Sequence, residues 1–230
     1  MRIIALGDTH GRPTWKQILA KETYDRVIFI GDYFDAKEDI SPADQKQNFR
    51  EILDMKRENP DKVVLLFGNH DYHYLPKCKS VCAGYQFLHR IDYMNLLEEA
   101  LDQDWLQICF VHDTFLFVHA GVTRTWARNN GIDITQPMES INSLFRKSQD
   151  AFRFTPGVME DSYGDEICQS PIWVRPDSLM ADPIPNFSQV VGHTQIKKVQ
   201  RSGSYYFIDT LGTSNEYFVL DNGIVTVGSL

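Results

Sequence analysis

The sequence predicts an α/β protein, a four-layer α/β/β/α sandwich built on two mixed β-sheets. Two observations lead there. Over the first third, short apolar runs alternate with helical stretches, the pattern of parallel strands joined by crossover helices. Later runs follow one another closely with turn residues between them, the pattern of antiparallel hairpins.

Residues 2–6 (RIIAL), 26–30 (RVIFI) and 62–67 (KVVLLF) are continuous apolar runs rich in β-branched residues, read as strands buried on both faces. Pro13 suits the first turn of a helix after Arg12. Ser41-Pro42-Ala43-Asp44 reads as an N-cap, a proline at the first helical position and an acid at the third. That helix carries Phe49, Ile52 and Leu53 and ends before Pro60. Residues 106–111 (LQICFV) and 114–118 (TFLFV) predict a hairpin turning at His112-Asp113. A helix is expected near 138–152, and strands at 187–191, 204–208, 216–220 and 223–227. Asp221-Asn222-Gly223 splits the last two, and its Asn-Gly step is a strong hairpin turn. Residues 122–186 are less regular, with Pro137, Pro156, Pro171, Pro176, Pro183 and Pro185 spread along them. Outside the helix they read as long ordered loops that shape specificity. With no internal repeat, low-complexity tract or linker, residues 1–230 read as one domain.

A chain of 230 residues, 43% apolar and 23% charged, can bury its core without disulfide or metal staples. Its formal charge of −8 counts against a general nucleic-acid binder, which must neutralise phosphates. Bound cations reverse that sign locally, so phosphate chemistry is not excluded. No apolar run reaches the ~18 residues a membrane span needs. The opening MRIIALGDTH reads as a first strand and not a signal peptide, which places the protein in the cytoplasm. Cys78, Cys82, Cys109 and Cys168 read as reduced thiols; the Cys78/Cys82 pair lacks a second pair nearby to complete a zinc tetrahedron.

The informative feature is a recurrence of circumstance. Five times an apolar strand runs into glycine, or into histidine followed by glycine, beside a metal-ligand residue type. The segments are Gly7-Asp8-Thr9-His10-Gly11, Gly31-Asp32-Tyr33-Phe34-Asp35, Gly68-Asn69-His70-Asp71, His119-Ala120-Gly121 and Gly192-His193-Thr194. Carboxyl ends of strands open into the ligand crevice of an α/β sheet. Glycine there lets backbone approach closely. Asp, His and Asn suit borderline divalent ions such as Mn, Fe or Zn. One such end is commonly a turn; five in one chain point to a shared site.

In this order the blocks resemble the calcineurin-like metallophosphoesterase superfamily. Its pattern is G-D-x-H-G, G-D-x-x-D, G-N-H-[DE], a histidine before a small residue and glycine, then G-H. Within it the chain looks most like the phosphoprotein phosphatase branch, which includes bacterial and phage serine/threonine phosphatases and diadenosine tetraphosphate hydrolases. Phe207-Ile208-Asp209-Thr210 also looks like those bacterial members. The resemblance implies two divalent ions, Mn²⁺ first, with Fe or Zn as alternatives. Asp8, His10 and Asp32 would hold one; Asp32, Asn69, His119 and His193 the other, with Asp32 bridging. Two ions about 4 Å apart acidify a shared water that attacks the ester without a covalent enzyme nucleophile. The resemblance makes His70 the general acid and Asp35 its orienting partner.

The remaining candidates read differently. His112 lacks the small-Gly sequel and is expected at an exposed turn. Asp71 is expected to cap the loop or orient a neighbour, and His73 and His89 to be surface or packing residues. The phosphatase branch has Arg-Gly after the second Asp of G-D-x-x-D, where this chain has Ala36-Lys37. Arg12 is one candidate replacement for that phosphate grip. Ser170-Pro171-Ile172-Trp173-Val174-Arg175 resembles the branch's tryptophan segment, with Arg175 at its phosphate-binding position. The substrate class implied is a phosphorylated molecule, a phosphoprotein or a small phosphoester or nucleotide, with neither membrane nor nucleic acid as partner. Phosphomonoester hydrolysis leads. Hydrolysis of a dinucleoside polyphosphate or related nucleotide is second, and an inactive metal-bearing scaffold is a distant third.

Overall fold

The computed structural model describes residues 1–78, 81–154 and 166–230. The first third forms the expected alternation: β1 (Arg2–Leu6), α1 (Thr14–Lys21), β2 (Arg26–Phe29), α2 (Pro42–Glu58), β3 (Val63–Leu66) and the single turn α3 (Asn69–Tyr72). Next come α4 (Arg90–Asp102), β4 (Leu106–Gln107), β5 (Cys109–His112) and β6 (Phe115–Val118). They are followed by α5 (Arg124–Asn129), α6 (Pro137–Lys147), α7 (Pro176–Ala181) and β7 (Ser188–Val191). The chain finishes with β8 (Gln200–Ser202), β9 (Tyr205–Phe207), β10 (Glu216–Asp221) and β11 (Ile224–Ser229).

Two mixed sheets result. The first runs β11-β10-β1-β2-β3-β4, the second β5-β6-β7-β9-β8. Strands β1 to β4 pair in parallel because each connection crosses over through helix. The hairpins β5/β6, β8/β9 and β10/β11 pair antiparallel, and β10 returns to lie against β1. Alternation along β1 sorts its side chains into two layers. Ile3 and Ala5 join Ile28, Ile30, Val64 and Leu66 against Phe117, Val190 and Tyr206 of the second sheet. Ile4 and Leu6 face outward into the other core cluster, with Trp15, Ile18 and Phe49 from the helices. The predicted α/β/β/α layering is the one found. No described helix is long and apolar enough to cross a membrane.

Ser41 caps α2 as read, its Oγ accepting from Asp44 N at 3.1 Å, with Pro42 opening the helix. Pro13 instead occupies the N-cap of α1, one residue outside the first turn. The run 106–111 is not one strand. Its first two residues extend the first sheet, and from Cys109 the chain has moved to the second. Asn142 of α6 holds that step: Oδ1 accepts from Ile108 N and Cys109 N at 2.9 and 3.2 Å, and Nδ2 donates to Cys109 O at 3.0 Å. The hairpin turns one residue later than expected. His112 is the last residue of β5, paired with Phe115 and partly buried, not exposed. The irregular stretch 122–186 contains α5 and α7 besides the expected helix at α6; its residues 155–165, Pro156 included, lie outside the described residues.

Candidate metal centre

The carboxyl ends of β1, β2 and β3 in one sheet and of β6, β7 and β9 in the other open on the same side. Asp8, Asp32 and Asn69 follow the first three; His119, His193 and Asp209 follow the others. His10 sits in the turn before α1. Glycine makes this crowding possible. A Cβ at Gly68 would stand 2.1 Å from Asp32 Oδ1, and one at Gly192 would stand 2.1 Å from Asp8 Oδ1. His10, Asp32, Asp35 and His193 all adopt left-handed backbone, with φ of 43°, 53°, 61° and 63°. Such conformations persist where the surrounding structure over-determines them, and they collect at functional sites.

Each inward-facing imidazole is fixed from behind. His10 Nδ1 lies 2.7 Å from Phe34 O, His119 Nδ1 3.0 Å from Ile30 O, and His193 Nε2 3.1 Å from Trp173 O. A ring N–H donated to a carbonyl leaves the opposite nitrogen as a lone pair. For His119 and His193 that nitrogen faces Asn69 Oδ1, at 2.9 and 2.8 Å. Asn69 Nδ2 donates to Cys82 Sγ at 3.3 Å, which turns the amide oxygen inward. Three acceptors therefore converge on one point, with Asp32 Oδ2 3.5 Å from His119 Nε2 and 3.8 Å from His10 Nε2. A cation at that point would satisfy all three acceptors, so the donor set fits divalent metal ions. Burial also keeps the rings neutral, as ligands must be: His10 is pushed down to about 4, and His193 well below the ordinary histidine value.

The carboxylates make the same demand. Burial, then the charges of Asp209 and Asp32, push Asp8 well above the usual range. Burial and Asp32 push Asp209 up to about 7, and its buried Oδ1 has no hydrogen-bond partner. Two of the side-chain groups capable of holding a metal ion are Asp8, Asp32 and His119, and His10, Asp32 and His70. Asp32 belongs to both. Asp71 orients its neighbours as expected, accepting from Gly68 N and Asp32 N at 2.9 Å and from Tyr33 N at 2.8 Å.

His70 stands at the rim. Its backbone N–H donates to Asp32 Oδ1 at 2.8 Å and its Nδ1 lies 2.9 Å from Asp35 Oδ2. Burial works against its charged form, but the Asp32 charge and the Asp35 hydrogen bond prevail and hold it well above the ordinary histidine value. Asp35 is itself held down to about 2, against its burial, by His70, His73 and Tyr74. His73 is neither surface nor simple packing: it is buried, with Nε2 2.7 Å from Asp35 Oδ2.

A cavity of about 730 Å³ opens over these groups, lined by Asp32, Asn69, His70, His193, Trp173 and Arg175 among others. The Arg175 guanidinium reaches Thr194 Oγ1 at 3.2 Å and lies 5.8 Å from the Trp173 ring centre. Arg12 does not line this cavity. Its guanidinium is buried, donating to Glu38 Oε1 at 2.7 Å and to the carbonyls of Asp8 and Thr9, so it braces the first strand end instead of facing the opening. Lys37, Cys82, Phe154 and Asp209 line the cavity and were not singled out from sequence as site residues.

A family model described as calcineurin-like phosphoesterase matches residues 1–210. A symmetrical bis(5'-nucleosyl)-tetraphosphatase of Methylobacillus flagellatus is 29% identical over 39% of the chain and 33% of that protein. One of Nitrosospira multiformis is 27% identical over 55% of the chain and 46% of that protein. The chain thus matches less than half the length of either. Among solved structures, a cold-active protein-tyrosine phosphatase of a Shewanella species superposes with a TM-score of 0.66 at 17% identity, over 99% of this chain and 77% of that one. A serine/threonine phosphatase of Saccharomyces cerevisiae gives 0.63 at 14%, over 100% and 79%. At these identities the likeness is one of fold.

Proposed function

Because the chain belongs to the calcineurin-like phosphoesterase family, we propose that it is a dinuclear-metal-dependent phosphatase of phosphate monoesters, acting as one catalytic domain. Phosphoserine and phosphothreonine are within that class. The observation that carries the reading is Asn69 Oδ1 set between the inward nitrogens of His119 and His193, beside the Asp8 and Asp32 carboxylates. Asp8, His10 and Asp32 would hold one ion, and Asp32, Asn69, His119 and His193 the other, with Mn²⁺ first and Fe or Zn suited to the same donors. When bound, such a pair supplies an acidified water as nucleophile and neutralises phosphoryl oxygens.

The protein's own groups do the rest. His70 gives its proton to the leaving alkoxide, and Asp35 fixes the ring and favours its charged form. Arg175 offers a planar pair of donors to phosphoryl oxygens, braced by Thr194. We place the protein in the cytoplasm, where its cysteines stay reduced.

A second reading, hydrolysis of a dinucleoside polyphosphate, draws on the names of the two curated relatives. It also draws on the cavity wall, where Phe154 stacks on Trp173 with ring centres 4.3 Å apart, an aromatic face suited to a base. The test is a substrate panel on protein of measured Mn²⁺ content: an aryl phosphate, an aryl phosphodiester, a phosphopeptide and diadenosine tetraphosphate. Turnover of the two monoesters is expected, with Arg175→Ala lowering kcat/KM about tenfold or more on both. Strong preference for the dinucleotide would promote the second reading. No turnover with two ions bound would overturn both and leave a binding scaffold.

A further inference from the structure

Residues 81–84 line the cavity, and Cys82 among them lies beside two histidines of α3 and its C-cap, His70 and His73. Cys82 Sγ lies 3.1 Å from His73 Nδ1. One ligand atom from each of His70, His73 and Cys82 falls within 4.8 Å of the other two. A single carboxylate contacts both imidazoles: Asp35 Oδ2 is 2.9 Å from His70 Nδ1 and 2.7 Å from His73 Nε2. Proteins commonly orient metal-binding histidines in this way. Asp35 is anchored in turn, since Oδ1 accepts from Tyr74 Oη at 2.5 Å and Gln86 Nε2 at 3.2 Å.

The spacing suits a small tetrahedral ion. Metal–sulfur and metal–nitrogen bonds of zinc length separate sulfur from nitrogen by about 3.6 Å, so closure needs shifts on the order of 1 Å. The donor chemistry is also distinct from that of the main centre. There every donor is nitrogen or oxygen; here a sulfur joins two imidazoles, a set that selects softer ions.

We propose that His70, His73 and Cys82 form a third cation site, for a soft divalent ion of the zinc class, whose occupation withdraws His70 from proton donation. The site itself stands on geometry alone; its inhibitory consequence rests on the reading of His70 as the acid. Filling it releases the Cys82 thiol proton to solvent, and the His70 nitrogen that bonds the ion can no longer carry a proton. The ion therefore inhibits without displacing the metals of the main centre.

The probe is Cd²⁺ added to the Mn²⁺-loaded enzyme, read by sulfur-to-cadmium charge-transfer absorption and, in parallel, by turnover. One equivalent of the band is expected, growing as turnover falls. Cys82→Ala should abolish it, whereas Cys78→Ala and Cys168→Ala retain it. His73→Gln, which keeps the thiol, should weaken cadmium binding at least about tenfold. A band that survives in Cys82→Ala, or no band at saturating cadmium, would overturn the site. A band with undiminished turnover would overturn its control of His70. Should the enzyme turn over no phosphoester at all, the proposed function fails while the absorption still decides the site.

Discussion

Asp32→Asn is expected to lower turnover by at least about 10³-fold and to reduce the bound metal, because one carboxylate serves both candidate ion positions. The substitution is nearly isosteric and keeps the local frame. Asn Oδ1 can still accept from His70 N, now 2.8 Å from Asp32 Oδ1, and Asp71 still ties the loop through the backbone N–H groups of Asp32 and Tyr33. The new amide can donate to the inward nitrogens of His10 and His119, which sit 3.8 and 3.5 Å from Asp32 Oδ2. Burial works against the Asp32 carboxylate, but the charges of His119, His70 and His10 hold it below the usual range, so the fold favours the charge that is removed. The metal-free variant should therefore melt somewhat below metal-free wild type yet still unfold cooperatively, separating lost chemistry from lost fold. Elemental analysis, calorimetry and turnover together check this. A variant that retains two ions and near-normal turnover would remove Asp32 from the bridging position.

His70→Ala is expected to slow esters with poor leaving groups by about 10²–10⁴-fold while the metal content stays unchanged. Aryl esters, whose leaving groups depart without a proton, should slow far less. The fold should tolerate the change. Asp35 keeps Tyr74, Gln86 and His73 as partners, so no buried carboxylate is orphaned. The bond to Asp32 comes from the backbone of residue 70 and survives. Steady-state kinetics on an alkyl phosphate and an aryl phosphate decide the matter. Equal slowing of both would assign His70 a positional task and end its reading as the acid.

The parts legible from sequence share a physical reason: each left a local mark. A glycine after an apolar run signals that another strand end comes close, and Gly68 and Gly192 do admit neighbouring carboxylates. Asp209 carries no adjacent glycine, so its strand end was noticed by resemblance but its arrival beside Asp8 was not read. Arg12 misled because nearness along the backbone does not fix the direction of a side chain, and Glu38 claims its guanidinium from 26 residues away. His73 meets Asp35, and Cys82 meets His73 and Asn69, across sequence separations that no short-range pattern encodes. The break between β4 and β5 was hidden in a continuous apolar run because Asn142, far along the chain, makes it. Helix α4 was not read from the sequence, although Tyr93, Leu96, Leu97 and Ala100 recur at helical spacing and are all buried.

The six proposed donors come from two separately hydrogen-bonded sheets, four after β1, β2 and β3 and two after β6 and β7. Neither half carries a competent set, so catalysis is a reporter of their seating against each other. A partly denatured chain with intact helices and slipped sheets should already be silent, and a denaturant series comparing turnover with far-ultraviolet dichroism should show activity vanishing first or together with it. Activity outlasting the sheets would mean that the donors are not shared between them.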